Sequence, residues 1–257
     1  MMDMDFGLGG WAILTIGAAA AGWIDAVIGG GGLVLIPLIL AVAPQLAPAT
    51  ALATNKVAAV SGTASAAVTL VKKVRPPKGE LIRMGLIALV CSGLGATAAA
   101  LMDKDVMRPV IIVLMVVVGI FVAFRPDFGS GDGIRGGWRT WAGLAAVAAI
   151  AFYDGIFGPG TGMFLIMAFT AIFSQNFLTS AAMAKVVNTC TNVGALVVFI
   201  VGGHVVWGLA LVLAAANIIG AQLGARTVLG GGAKLIRYAL LALVVVMSVY
   251  LSWQQWG

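Results

Sequence analysis

Charge is what this sequence has least of. Only 9% of its 257 residues are Asp, Glu, Lys or Arg, against about 25% in soluble domains, so water is excluded as the main solvent. Histidine occurs once, at His204, and cysteine twice, at Cys91 and Cys190, both inside apolar runs. With no CxxC or Cys/His cluster, neither a zinc site nor a disulfide framework is indicated, and two inert buried thiols are expected. No nucleophile, metal cluster or cofactor motif is found, so the chain is not expected to be an enzyme, and no cofactor or metal is implied. The glycine strings GGGG (29–32) and GPGTG (158–162) lack the strand, helix and distant acid of a dinucleotide-binding unit. The formal net charge is +6, yet the basic residues sit in short loops rather than on an amphipathic face. They read as topology signals, not as a nucleic-acid surface.

What remains is apolar. Hydrophobic residues make up 61% of the chain and the mean hydropathy is +1.09. Apolar runs of about 18 or more residues read as membrane-crossing helices, because the hydrocarbon core is about 30 Å thick. The fold class is therefore an all-α polytopic membrane protein with the lipid bilayer as its main partner. The N-terminus, MMDMD, lacks a basic n-region, so the first apolar run is expected to stay in the mature protein.

Sliding the sequence against itself by 129 residues aligns Asp25 with Asp154, Gly29 with Gly158, Gly31 with Gly160 and Lys56 with Lys185. Downstream the same register aligns Leu94-Gly95-Ala96 with Leu223-Gly224-Ala225 and Arg108 with Arg237. Shared Leu, Val and Ala mean little between apolar segments; shared Asp and Lys are rare in such surroundings. The chain thus reads as one integral membrane domain made of two repeats, 1–128 and 129–257. Each has four apolar segments: 10–43, 46–71, 81–101 and 106–124, then 138–173, 176–203, 205–229 and 233–253. The first of each set is too long for one simple crossing and is broken by glycine. A break at membrane depth is tolerated only where backbone is buried in protein or lines a cavity.

Basic residues discriminate two topologies. If all eight segments cross, one face carries eight basic residues (Lys72, Lys73, Arg75, Lys78, Arg83, Arg125, Arg135, Arg139) and the other five (Lys104, Arg108, Arg226, Lys234, Arg237). If the broken segments turn back as re-entrant hairpins, the last three change face and the split becomes eleven against two, a sharper fit to the positive-inside bias. The expectation is two repeats of inverted topology, each a re-entrant or discontinuous first segment plus three transmembrane helices, with both termini outside.

Thirteen of the fifteen Lys and Arg fall in loops or at loop edges; the exceptions are Lys56 and Lys185. Among the acids the exceptions are Asp25 and Asp154. Unpaired charges at membrane depth are costly and usually mark a substrate or ion path. Either each Asp pairs with a Lys, within or across copies, and merely holds the bundle, or the four serve a site. The adjacent Gly29, Gly30, Gly31, Gly32, Gly158, Gly160 and Thr161 favour a site, since uncovered amides at a helix start attract anions. A lysine opposite adds a full charge and up to three donors. Thr54 and Asn55 precede Lys56, and Asn188 and Asn192 share a helical face with Lys185; these either complete an anion cage or bond neighbouring helices. Asp25 and Asp154 would orient the lysines or carry a coupled proton. His204 and the tryptophans near segment ends read as interfacial residues.

The stretches WIDAVIGGGGLVLIP and TALATNKV, with their weaker echo in the second copy, resemble the TauE/SafE sulfite-exporter-type family of membrane transporters. The resemblance spans nearly the whole chain. It implies a bacterial-type inner-membrane protein moving sulfite or a small organosulfonate or organic anion. Gly29 to Gly32, Pro37, Thr54, Asn55 and Lys56 match the family's motifs; the second copy departs from them, with GPGTG and MAKVV. The expected activity is secondary transport of a small anion by alternating access, with the site between the repeats. An anion channel of the same architecture is the alternative, and a homo-oligomer is left open.

Overall fold

The computed structural model describes residues 7–102, 109, 113, 139–173 and 175–230. The expected segment 233–253 and all but two residues of 106–124 lie outside the described residues. Among the described residues every regular element is a helix: α1 (Gly7–Ile28), α2 (Gly31–Val42), α3 (Pro48–Val74), α4 (Lys78–Ala100), α5 (Arg139–Ile156), α6 (Thr161–Phe173), α7 (Phe177–Val201) and α8 (Trp207–Leu229). Five of them, α1, α3, α4, α7 and α8, are long and apolar enough to cross a membrane; α2, α5 and α6 are apolar and shorter.

Local chemistry sets the helix ends. Gly29, Gly158 and Gly160 adopt φ of +81°, +99° and +82°, a region that L side chains seldom enter, and there the two long apolar runs break. Pro48 stands at the first position of α3, where its missing N–H costs nothing. The last turn of α3 carries Lys72 and Lys73, matched to the negative end of the helix dipole. Asn176 caps α7 by accepting from the Thr179 amide at 2.9 Å.

Both broken segments fold back on themselves. The Leu38 side chain packs on Gly17, and the Phe173 ring on Gly143. Had α2 simply prolonged α1, the first two residues would lie about 30 Å apart. The hairpins α1–α2 and α5–α6 are packed into a bundle with α3, α4, α7 and α8. Small residues allow the closest crossings: a methyl on Gly224 or Gly220 would strike the Trp23 or Ala19 carbonyl, and one on Gly95 the Phe152 carbonyl. Gly95, Phe152 and Gly155 stand 129 residues from Gly224, Trp23 and Ala26, and both trios make the same contact.

Polar side chains tie helices together directly. Asn217 Nδ2 donates to the Ala18 carbonyl at 3.0 Å, Trp23 Nε1 to Thr227 Oγ1 at 3.1 Å, and Gln222 Nε2 to the Ser65 carbonyl at 2.9 Å. Facing outward are Leu8, Ile16, Ile82, Leu86, Leu211, Ile219 and Leu223, the surface expected of a bundle solvated by lipid.

Candidate functional site

Lys56 and Lys185 each sit a little over two turns into a helix, α3 and α7 respectively. Each reaches the end of a broken helix in the other half of the chain. Lys56 Nζ donates to Asp154 Oδ2 at 2.7 Å and to the Asp154 carbonyl at 2.8 Å. Lys185 Nζ donates to Asp25 Oδ2 at 2.9 Å and to the Asp25 carbonyl. Asp25 and Asp154 lie in the last turns of α1 and α5, where carbonyls lack helical partners and the dipole is negative. The lysines therefore neutralise a side chain and cap a helix end together. Lys185 is 0% exposed, Lys56 and Asp154 are 2%, so each charge depends on its partner to offset desolvation.

The glycine breaks meet between these pairs. A methyl on Gly29 would stand 2.2 Å from the Gly162 carbonyl carbon, and one on Gly162 would stand 2.6 Å from Gly29 Cα, so bare backbone touches bare backbone. In the first break the Gly31 amide donates to Asp25 Oδ1 at 3.2 Å. In the second, Thr161 Oγ1 donates to the Gly158 carbonyl at 2.7 Å and the Tyr153 hydroxyl to the Pro159 carbonyl at 2.7 Å.

A small cavity, about 20 Å³, opens where these parts converge, lined by Asp25, Lys56, Asp154, Asn55, Asn188 and Asn192 together with Gly29, Gly32, Ala59, Gly158 and Gly162. Gly32 and Gly162 belong to the first turns of α2 and α6, so two positive helix ends border it. Asn192 Nδ2 donates to the Asn188 carbonyl at 2.8 Å and to Asn188 Oδ1 at 3.2 Å. This fixes the Asn188 oxygen and leaves its NH₂ as donor. The site can hold a small polar or anionic species against helix-start amides, an ammonium and side-chain amides. Among the described residues no group of three or more His, Cys, Asp or Glu could hold a metal ion.

Of the residues singled out from sequence, Asp25, Gly29, Gly32, Asn55, Lys56, Asp154, Gly158, Asn188 and Asn192 come together around the cavity. Gly30, Gly31, Gly160 and Thr161 belong to the breaks but do not line it, and Lys185 lies behind Asp25. Thr54 is wholly buried, and its hydroxyl has no hydrogen-bond partner among the described residues.

The profile of the family described as Sulfite exporter TauE/SafE matches residues 14–251. The chain belongs to this TauE/SafE family. It is similar to the probable membrane transporter protein YfcA of Escherichia coli (strain K12), 35% identical over 246 residues that cover 95% of this chain and 90% of the relative. It is also similar to a probable membrane transporter protein of Haemophilus influenzae, 33% identical over 97% of this chain and 95% of the relative. A third relative is the probable membrane transporter protein ORF9 of a Sinorhizobium species, 32% identical over 98% and 95%. No solved structure matches it significantly. These are names of membrane transporters and not of enzymes, and with five helices able to span a bilayer this TauE/SafE chain is an integral membrane protein.

Sequence reasoning missed three parts of the site. Gly162 entered only as the end of GPGTG, and Ala59 carries no chemistry to notice. Tyr153 had a signal available: a phenol beside a membrane-depth aspartate needs a hydrogen-bond partner, and the free carbonyls of the break supply one.

Proposed function

We propose that this chain is a secondary transporter of a small anion, sulfite or a small organosulfonate, working by alternating access around the cavity between two inverted repeats, 1–128 and 129–257, in a bacterial-type plasma membrane with both termini outside. The observation that carries the reading is the reciprocal pairing of Lys56 with Asp154 and of Lys185 with Asp25: of these four charges among the described residues, Asp25, Lys56 and Asp154 line one polar cavity bordered by two helix starts, and Lys185 is bonded to Asp25.

Packing directions support the inversion. Gly85 lies beside Cys190 and Gly93 beside Val198, so α4 and α7 run the same way. Asn217 lies beside Gly62 and Gln222 beside Thr69, so α3 and α8 do too. The short connection 75–77 joins α3 to α4; as both are long enough to cross, they run oppositely. Then α3 and α7, equivalent under the 129-residue offset, are antiparallel, the plan in which one repeat rocks against the other around a fixed site.

Four charges in two neutral pairs leave no surplus to attract an anion at long range. Binding therefore draws on the helix-start amides, the N–H that Lys56 does not spend on Asp154, and the asparagine amides. Asp25 and Asp154 hold the lysines and are the groups able to carry a coupled proton. The test is sulfite flux into proteoliposomes with wild type, Lys56→Ala and Lys185→Ala, all checked for folding. Saturable wild-type flux that the variants lose supports the reading; non-saturable flux identifies a channel, and undiminished flux in both variants sinks the proposed site.

A further inference from the structure

We infer that the two halves of the cavity are unequal, and that the anion is held on one side only: by Asn55, Lys56 and the start of α6, while Lys185 and Asp25 form a closed clip. This rests on the transport reading above and names which half of its site takes the substrate.

Three observations separate the halves. First, Asn55 is 6% exposed, lines the cavity, and its side-chain amide has no hydrogen-bond partner among the described residues. Asn55 is not among the sealed, unpartnered groups of the interior; its amide opens onto the cavity, where a ligand can complete it. Its equivalent in the second copy is Ala184, which offers nothing to a ligand. Second, Asp25 Oδ1 accepts from the Gly31 amide, so the start of α2 already holds a carboxylate. No side chain among the described residues accepts from the first amides of α6, whose Gly162 lines the cavity. Third, Lys56 borders the cavity, whereas Lys185 does not and is fully enclosed.

Asn55 and Lys56 are neighbours on α3, and Lys56 lies beside the second break: its Nζ would be 2.9 Å from a methyl on Gly158. An anion seated there meets a side-chain amide, the Lys56 N–H not spent on Asp154, whose carboxylate also lines the cavity, and the positive end of a 13-residue helix. On the opposite side a carboxylate of the protein occupies the place an anion would take. A single anionic group, rather than a dianion with two separated charged ends, is the species that fits.

The experiment compares wild type with Asn55→Ala in sulfite-loaded proteoliposomes, and measures thermal unfolding of both purified proteins without sulfite. The expected result is a KM raised tenfold or more with Asn55→Ala as stable as wild type, because no side-chain hydrogen bond among the described residues is lost. An unchanged KM, or a variant less stable than wild type, overturns the half-site assignment while leaving wild-type transport intact. Absence of saturable flux from wild type defeats the transport reading and the assignment with it. Asn55→Asp, which keeps the shape but replaces the NH₂ with a second acceptor, is expected to abolish saturable flux; retention of wild-type KM in that variant likewise overturns the assignment.

Discussion

The first glycine break is sealed by its own aspartate, whereas in the second no described side chain accepts from the helix start and a tyrosine ties the break down from the side. Asp25 spans the gap between α1 and α2, taking the Gly31 amide with one oxygen and Lys185 with the other. Asp154 takes Lys56, and it is Tyr153, with Ile24 as its counterpart, that bonds the break at Pro159. The two breaks, aligned by the 129-residue offset, are therefore tied by different side chains.

The severest way to break this comparison is to remove charges in pairs. Lys185→Met or Lys56→Met alone strands a buried carboxylate and is expected to cost about 3–5 kcal/mol, read as loss of folded protein in detergent. Adding the partner change separates the halves. Lys185→Met with Asp25→Asn recovers folded protein and keeps saturable sulfite flux, while Lys56→Met with Asp154→Asn recovers folded protein without flux. Equal flux from the two double variants would erase the distinction.

Backbone contact between the breaks gives the next largest effect. Gly29→Ala forces a methyl to within 2.2 Å of Gly162 at φ +81°, and its expected cost is about 3 kcal/mol or more. Gly32→Ala meets nothing closer than 3.4 Å and is expected to fold normally. Thermal unfolding of the two proteins side by side checks the contrast.

The sequence made the rare residues legible and left their partners hidden. Asp25, Asp154, Lys56 and Lys185 stand out because ionisable groups seldom occur in apolar runs, and the same offset that aligned them pointed to a repeated architecture. The fold-back of α2 and α6 was foreshadowed by glycine and by the distribution of basic loops. Which lysine meets which aspartate depends on how helices cross, and both pairings within and across copies suited the spacing. The inequality of Lys56 and Lys185 was invisible for a simpler reason: an alignment that makes them equivalent cannot say that one faces a cavity. Asn217 and Gln222, which tie α8 to its neighbours, passed unnoticed because an amide on an apolar helix signals no particular partner.

Two smaller effects sharpen the picture. Tyr153→Phe loses the bond to the Pro159 carbonyl and is expected to lower stability by about 1–2 kcal/mol, measured as a lower unfolding midpoint; no change would mean that the second break does not depend on this tie. Thr54→Val replaces a buried hydroxyl that has no partner among the described residues with a methyl of nearly the same shape, and a gain of about 1 kcal/mol is expected. Stabilisation with undiminished flux marks Thr54 as a passive neighbour of Lys56. Stabilisation with lost flux shows that the hydroxyl finds its partner in another conformation of the transport cycle.

The reciprocal ion pairs also dictate when the molecule can be finished. Asp25 waits for a lysine 160 positions downstream and Lys56 for an aspartate 98 positions downstream. At about 5–20 residues per second of synthesis, the first half emerges carrying unmatched charges for roughly 8–30 s before α7 arrives. Membrane insertion of the early helices must therefore be reversible or shielded during that interval, and the lock on the whole bundle closes only with its penultimate described helix.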